Sequence, residues 1–281
     1  MAEGLVLVTG AGGYVGRHVV TALLERGYDV IAVVRPGSRS DVDRRAQVVP
    51  ADLLAADFDV TGLSEFVPDA VVHLAWQDGF THNAPSHMLL LSRHFALLEA
   101  FTAWGVRRVS VLGTMHEVGY WEGAITADTP TNPTSLYGIA KDALRRASFV
   151  ALADRTSLRW LRCYYILGDD RNNNSIFTRI LEAVDAGKAT FPFTTGKNLY
   201  DFIDVGELGH QIAVAATQDE AQGVINCATG NPMSLAAAVE SFIEREGLPI
   251  RLEYGAFPDR PYDSPGVWGD AEVITGLMAR S

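Results

Sequence analysis

Tyr137 and Lys141 are the two residues of this chain whose types and spacing most clearly suit proton transfer. In a helix, residues at i and i+4 project from the same face. An ammonium beside a phenol favours the phenolate, so Lys141 is expected to lower the pKa of Tyr137 from its ordinary value of about 10. Because the same spacing is common in purely structural helices, the pair indicates catalysis only if a second site lies beside it.

The glycine-rich segment at residues 9–16, TGAGGYVG, supplies such a second site. Gly10 permits a tight turn, Gly13 lets the backbone approach a pyrophosphate, and Gly16 lets the following helix lie close to the strand. The amide groups and dipole at that helix N-terminus attract anions. Between an apolar strand and a helix, the motif indicates a dinucleotide site rather than a plain connection, with Tyr14 and Val15 at its border.

The end of the second predicted strand, VVRPGSR, indicates which dinucleotide is bound. An acidic residue there would hold the ribose hydroxyls of NAD, and none is present. Arg35, with Arg39 as a second candidate, could pair with the 2′-phosphate of NADP through its planar guanidinium. We therefore expect NADP(H) in preference to NAD(H); the alternative is that Arg35 is simply a solvated loop residue.

Thr114, at the end of a predicted strand, is the third candidate catalytic residue beside Tyr137 and Lys141. Its hydroxyl could hydrogen-bond the same substrate oxygen as the phenol. The alternative is that Thr114 only ends the strand. Met115 and His116 follow it and are expected on the substrate side. For His116 three roles stay open: an orienting hydrogen bond, proton transfer, or packing alone.

The elements that must position these residues alternate between apolar strands and amphipathic helices. Unbroken apolar strands are typical of a parallel sheet covered on both faces, and the β-α rhythm predicts a doubly wound, Rossmann-like α/β fold. Strands are predicted at residues 5–8, 30–34, 47–50, 70–74, 109–112 and 158–166, and helices at residues 14–26, 88–104 and 137–153.

The predicted domain division places the cofactor in residues 1–167 and a smaller substrate lobe mainly in residues 168–281. The second part contains a helix at residues 176–186 and a strand at 224–227 that is expected to return to the main sheet.

Composition limits the classes of partner and the compartment. The 281 residues carry a formal net charge of −11, which disfavours nucleic acid and anionic membrane. We see neither an apolar run of membrane-spanning length nor a signal-peptide pattern. Cys163 and Cys227 lie in apolar runs and are expected to be buried free thiols. These features together predict a cytoplasmic protein.

These motifs together resemble the extended short-chain dehydrogenase/reductase family, in its nucleotide-sugar branch. Further family-like segments are ADL at 51–53, VVHLA at 71–75 and GKNLYDFIDV at 196–205. The resemblance implies that Asp52, with Leu53 beside it, contacts adenine, that Ala75, with Leu74 beside it, lies against the cofactor, and that Lys141 also holds the nicotinamide ribose. It also implies a homodimer built through two helices, one of them carrying Tyr137.

The same resemblance implies that residues 260–270 close over a sugar nucleotide. Besides Met115 and His116, candidate substrate-binding residues are Trp76, Tyr164, Asn174 and Arg260. Trp76 could stack on a sugar or base, or it could pack in the interior. Arg260 could hold a diphosphate or lie on the surface. His82 and His87 are expected to be solvated loop residues, with a metal pair as the alternative.

Arg35 favours net reduction by NADPH, and the resemblance implies that the substrate is the 4-keto group of a nucleotide-linked 4-keto-6-deoxyhexose, with dTDP as a candidate carrier. Dehydratases of the family carry an acidic pair after the catalytic hydroxyl. Met115 cannot transfer a proton, although Glu117 comes nearer if the alignment gap is moved. The alternatives are an epimerase or dehydratase, a non-catalytic NADP-sensing protein, and a reductase of small free ketones.

Overall fold

A seven-stranded parallel sheet with helices on both faces forms the centre of the computed structural model, which describes residues 2–38, 41–168, 175–258 and 264–281. The helices are α1 (Gly16–Glu25), α2 (Ser86–Leu89), α3 (Leu91–Trp104), α4 (Leu136–Leu152), α5 (Ile176–Asp185), α6 (Val205–Thr217), α7 (Leu235–Arg245) and α8 (Glu272–Met278). The strands are β1 (Leu5–Thr9), β2 (Asp29–Val34), β3 (Gln47–Pro50), β4 (Ala70–His73), β5 (Arg108–Thr114), β6 (Gly123–Ile125), β7 (Ser157–Cys163), β8 (Tyr165–Leu167), β9 (Thr190–Pro192), β10 (Leu199–Tyr200), β11 (Phe202–Asp204), β12 (Gly223–Cys227), β13 (Met233–Ser234), β14 (Arg251–Glu253) and β15 (Gly266–Gly269).

The order of the main sheet is β3-β2-β1-β4-β5-β7-β12, and all its pairings are parallel. Successive strands are added to one side of β1 as far as β3 and then, from β4 onward, to its other side. Doubly wound sheets bind their ligands at such a switch point, at the carboxyl ends of the strands. The predicted fold class is therefore confirmed. Strand β12, which contains the predicted strand at 224–227, pairs with β7 at one edge.

Alternate residues of β1 supply the two apolar layers that cover the sheet. Val6 and Val8 face a cluster that includes α1, α6 and α8, whereas Leu7 faces a second cluster built with α3 and α4. All three side chains are fully buried. The period of two places one set on each face, as a strand buried on both sides requires.

The segments after β7, together with β6, build smaller sheets. One has the order β13-β10-β15-β6, and two pairs join β11 to β8 and β14 to β9. Buried Asp201, between β10 and β11, joins these segments. Its carboxylate accepts hydrogen bonds from the amides of Thr229 (2.9 Å), Gly230 (2.9 Å) and Gly269 (3.2 Å) and from the Thr229 hydroxyl. The division at residues 167/168 stays a prediction.

Two predicted elements are interrupted. The helix expected at 88–104 is α2 followed by α3, with Leu90 between them at φ −99° and ψ −4°. The strand expected at 158–166 ends at Cys163, because buried Tyr164 turns its hydroxyl to Asn226 at 3.1 Å and β8 pairs with β11 instead. Both cysteines are free and buried, as expected. Within the described ranges, no helix combines the length and apolarity that a membrane crossing needs.

Candidate active site

The glycine turn after β1 closes tightly onto the end of β4. A Cβ on Gly10 (φ +67°) would lie 2.7 Å from the Ala75 amide nitrogen, and a Cβ on Gly16 would lie 2.1 Å from the Gly10 carbonyl oxygen. Gly13 is exposed, whereas Val15 is buried under the turn. The residues therefore fit a dinucleotide, because close-packed glycines leave an open backbone surface at a helix N-terminus for a pyrophosphate.

The residues expected on the adenosine side lie along the same edge of the sheet. Arg35 is exposed just after β2, and Asp52 is exposed after β3, next to buried Leu53. The Thr9 hydroxyl accepts hydrogen bonds from the amides of Leu74 (3.2 Å) and Ala75 (3.3 Å), which fixes the path of the chain after β4. Arg39 lies outside the residues that the structure describes.

Tyr137 lies in the first turn of α4, which three neighbouring segments hold in place. The Ser135 hydroxyl caps the helix by accepting from the Gly138 amide (3.2 Å), and the Tyr137 amide donates to the His82 carbonyl (2.8 Å). A Cβ on Gly138 would lie 2.4 Å from the His116 carbonyl oxygen. The phenol is therefore positioned by the loop before α2 on one side and by the turn after β5 on the other.

Thr114 ends β5 and is almost fully buried beside Tyr137. A hydrogen bond between the Thr114 side chain and the phenol favours the phenolate. The Thr114 hydroxyl also accepts from the His116 amide at 3.3 Å. The sequence-predicted hydroxyl and phenol thus lie together, as two groups that could contact one substrate oxygen.

Glu117 holds the backbone of Thr114 in place, a role that the sequence analysis did not predict. One carboxylate oxygen of this fully buried residue accepts from the Thr114 amide (2.7 Å) and from the Trp160 indole (2.8 Å). The other lies 3.5 Å from Arg145 and 3.6 Å from Arg162. The signal was available, since Thr114-x-x-Glu117 is a capping-box pattern and the structure contains that box.

Lys141 is buried one turn after Tyr137, and its ammonium donates to the Leu112 carbonyl at 2.6 Å. Burial lowers the pKa of Lys141, and the charge of Glu117 opposes that effect. The expectation that Lys141 lowers the pKa of Tyr137 is corrected here. Burial, together with the nearby Cys163 and Glu117, raises the pKa of the phenol, because removing the phenolate from water costs more than the Thr114 hydrogen bond restores.

Three imidazoles surround the phenol. The His82 ring stacks on Tyr137 (centroids 5.4 Å apart), His87 lies at 5.3 Å and His116 at 6.1 Å. Burial, with a smaller effect of His82, lowers the pKa of His116 to about 4, so His116 is neutral at neutral pH. His82 and His87 pack against the phenol, which corrects the expectation of solvated loop histidines. The described residues contain no group of three or more His, Cys, Asp or Glu side chains suited to a metal ion.

The remaining candidate substrate-binding residues differ in their burial and contacts. Met115 lies almost buried in an apolar cluster beside the turn, and Trp76 is half-buried with its ring 6.2 Å from that of Tyr137. Tyr164 is 6% exposed and its hydroxyl donates to Asn226, and its expected contact with substrate stays a prediction. Asn174 and Arg260 lie outside the described residues.

Comparison with known proteins connects this geometry to a family. Residues 6–228 match the model described as the NAD dependent epimerase/dehydratase family. A protein of Aggregatibacter actinomycetemcomitans named dTDP-6-deoxy-L-talose 4-dehydrogenase (NAD(+)) is 44% identical over 267 residues, which cover 94% of this chain and 98% of that protein. A dTDP-6-deoxy-L-talose 4-dehydrogenase (NAD(P)(+)) of Kitasatospora kifunensis is 28% identical and covers 92% and 84%, respectively.

Among solved structures, MoeE5 in complex with UDP-glucuronic acid and NAD superposes with a TM-score of 0.76 at 27% identity. The match covers 98% of this chain and 93% of MoeE5.

Proposed function

The chain belongs to the NAD dependent epimerase/dehydratase family, and from that membership we propose that it is an oxidoreductase acting at C4 of a nucleotide-linked 6-deoxyhexose. In the proposed net direction it reduces the 4-keto group with NADPH, and a dTDP-linked sugar is the first substrate to test. One observation carries the proposal: Tyr137 lies beside Thr114, and both Tyr137 and Lys141 lie near Trp76, which follows the Ala75 backbone that closes on Gly10. The naming of two relatives as 4-dehydrogenases of a dTDP-6-deoxyhexose supports the position on the sugar.

The reduced nicotinamide, when bound, supplies a hydride to C4 of the sugar. The chain supplies the proton: the Tyr137 phenol, whose raised pKa keeps it protonated at neutral pH, donates to O4 as the carbon is reduced. Thr114 is proposed to hydrogen-bond the same oxygen, and Lys141 to hold the nicotinamide ribose. The pyrophosphate would lie on the glycine turn at the start of α1.

The position of Glu117 argues against sugar dehydration. A dehydratase needs an acidic group that reaches the carbon next to the ketone, and Glu117 was the candidate if the alignment gap moved. Its carboxylate instead faces the interior, bound to the Thr114 amide and the Trp160 indole. Met115 and His116 stay as the side chains beside Thr114 that could contact substrate.

Arg35 supports NADP(H), because an exposed guanidinium at the end of β2 suits a 2′-phosphate. The relatives are named for NAD(+) in one case and NAD(P)(+) in the other, so both cofactors belong in the assay. If Arg35 binds the 2′-phosphate, Arg35→Ala weakens NADPH binding and leaves NADH binding unchanged. Equal effects on the two cofactors would remove this support for NADP.

The main experiment follows NADPH and NADH absorbance with a dTDP-4-keto-6-deoxyhexose, and the reverse oxidation with a dTDP-6-deoxyhexose. Tyr137→Phe is expected to reduce kcat by roughly 10²- to 10⁴-fold with the fold retained. Tyr254→Phe, which removes an exposed phenol, is the matched control. Absence of turnover with every nucleotide-linked sugar contradicts the proposal, and interconversion of C4 epimers without net cofactor change assigns an epimerase.

We also propose a cytoplasmic homodimer with contacts through α3 and α4. Val150 on α4 is 90% exposed and Leu89, just before α3, is 75% exposed, as suits a face that a second copy covers. Sedimentation measurements test the dimer.

A further inference from the structure

The indole of Trp76 lies against the ammonium of Lys141. The Lys141 Nζ is 3.9 Å from the centroid of the Trp76 ring, and the lysine side chain is only 2% exposed. Apart from this aromatic face, the ammonium contacts the Leu112 carbonyl, to which it donates at 2.6 Å. A buried cation is held here by one hydrogen bond and one ring face, so the ring is a substantial part of its environment.

Two histidines fix the orientation of that ring. The Trp76 indole N–H donates to His87 Nδ1 at 3.0 Å, which leaves the hydrogen of His87 on Nε2, donated to the Thr81 carbonyl at 3.0 Å. The His94 imidazole stacks on Trp76 with centroids 4.3 Å apart and planes 16° from parallel. The indole N–H and a ring face are therefore engaged by the protein itself.

His94 is in turn anchored to the strand that carries the glycine turn. The Thr9 hydroxyl accepts two amide hydrogens, so its own hydrogen is directed to His73 Nδ1 at 2.8 Å. His73 Nε2 then donates to His94 Nδ1 at 3.0 Å. Burial, followed by the charges of their neighbours, lowers the pKa of both imidazoles, which keeps this chain of hydrogen bonds neutral.

Burial by itself favours the neutral amine of a lysine. An aromatic face attracts an ammonium through its negative quadrupole, and the attraction grows when water is excluded. Among the described residues, Glu117 and Cys163 raise the pKa of Lys141, and the Lys141 charge in turn lowers the pKa of His73 and His94. The ring therefore favours the charged form in a place where desolvation opposes it.

We propose that Trp76 is a positioning residue that holds Lys141 in place and in its ammonium form, with His87 and His94 setting the angle of the ring. Of the two roles expected of Trp76, stacking on a sugar or base and packing in the interior, this one belongs to the second. The importance of the lysine for turnover rests on the proposed function, but the effect on its protonation does not.

The chain has only three lysines, Lys141, Lys188 and Lys197, so the side-chain Cε signals can be resolved by NMR after ¹³C-lysine labelling. Lys141→Arg identifies the Lys141 signal. Trp76→Met removes the aromatic face while retaining bulk, and Trp76→Phe retains a face. The matched control, Trp104→Met, removes an indole at the end of α3, away from the site.

With Trp76→Met, the midpoint of the Lys141 titration is expected to fall by about one pH unit. Trp76→Phe should remain close to the wild type, and Trp104→Met should match it. In an active enzyme, the alkaline limb of kcat/KM for ketone reduction should move in parallel with the NMR midpoint. A midpoint unchanged by Trp76→Met, with activity lowered equally at all pH values, would reduce Trp76 to a packing role and overturn the proposal.

A second measurement keeps the proposal open to refutation if Trp76→Met does not fold. Fluorinated tryptophan incorporated into the wild-type chain weakens the ring quadrupole with little change of shape. The Lys141 midpoint should then fall with each added fluorine, and a constant midpoint contradicts the proposal. If no nucleotide-linked sugar is turned over, the proposed function fails while these titrations still decide the role of Trp76.

Discussion

Gly113 is the position at which a single methyl group should do the most damage to the site. A Cβ there would lie 2.1 Å from the Trp160 indole nitrogen and 2.8 Å from the Glu117 carboxylate oxygen. Both side chains are fully buried, and they are joined by the 2.8 Å hydrogen bond that crosses this space. Gly113→Ala must therefore separate the indole from the carboxylate.

The expected cost has two parts. Overpacking of a core typically costs about 1–3 kcal/mol, and leaving a buried donor and carboxylate badly paired costs roughly 1–3 kcal/mol more. The lower entropy of an alanine in the unfolded chain returns about 0.4–1 kcal/mol. The free energy of unfolding should fall by roughly 1–6 kcal/mol, a large part of the ~5–15 kcal/mol typical of a domain.

Urea unfolding followed by circular dichroism measures that loss, and steady-state kinetics measures its effect on the neighbouring Thr114. Because Glu117 holds the Thr114 amide, we expect kcat to fall by about tenfold or more in the protein that stays folded. Gly62→Ala is the control, since nothing lies within 4 Å of its Cβ. A Gly113→Ala protein within about 0.5 kcal/mol of the wild type would refute this account of the buried node.

Three further perturbations test other parts of the structure. Burial holds the pKa of His94 at about 3, below the ~6.5 of an unfolded chain, so stability is complete above pH 6.5 and falls as the pH decreases toward 3. His94→Gln should reduce the dependence of the free energy of unfolding on pH, measured by urea titrations between about pH 4.5 and 7. His210→Gln, on the surface, is the control and should leave that dependence unchanged. The same pH dependence in His94→Gln and the wild type would exclude His94 as its cause. Gly16→Ala places a methyl group 2.1 Å from the Gly10 carbonyl oxygen and should weaken NADH binding by at least about tenfold, as measured by fluorescence. An unchanged affinity would show that the turn does not bind the cofactor. In Asp201→Asn the amide cannot accept all four hydrogen bonds, so the free energy of unfolding should fall by roughly 2–4 kcal/mol. A decrease of less than about 0.5 kcal/mol would contradict this expectation.

Most of the sheet could be predicted because its signals are local. The apolar runs at β1, β2, β3, β4 and β5 are short, uninterrupted and separated by amphipathic stretches, and each forms a strand in the sheet. The pairing of Tyr137 with Thr114 followed from the same logic, since parallel strands end at a common edge.

The electrostatics of the site could not be predicted in the same way, because they depend on contacts between distant segments. His94 lies in the first turn of α3, and its contact with His73 joins that helix to the end of β4, a segment distant in sequence. The spacing of Tyr137 and Lys141 gives their shared face but not their depth, and depth decides the direction of both pKa shifts.

That depth also bears on the pH dependence of the proposed reaction. A buried phenol with a raised pKa keeps its proton at neutral pH, and a proton donor is what the reduction of a ketone oxygen requires. In the proposed function, the reverse oxidation would require the phenolate, whose formation the same burial opposes. The hydrogen bond with Thr114 favours the phenolate, but burial outweighs it. The protonation of this phenol therefore affects the pH dependence of each direction of the proposed reaction, and not the equilibrium between them.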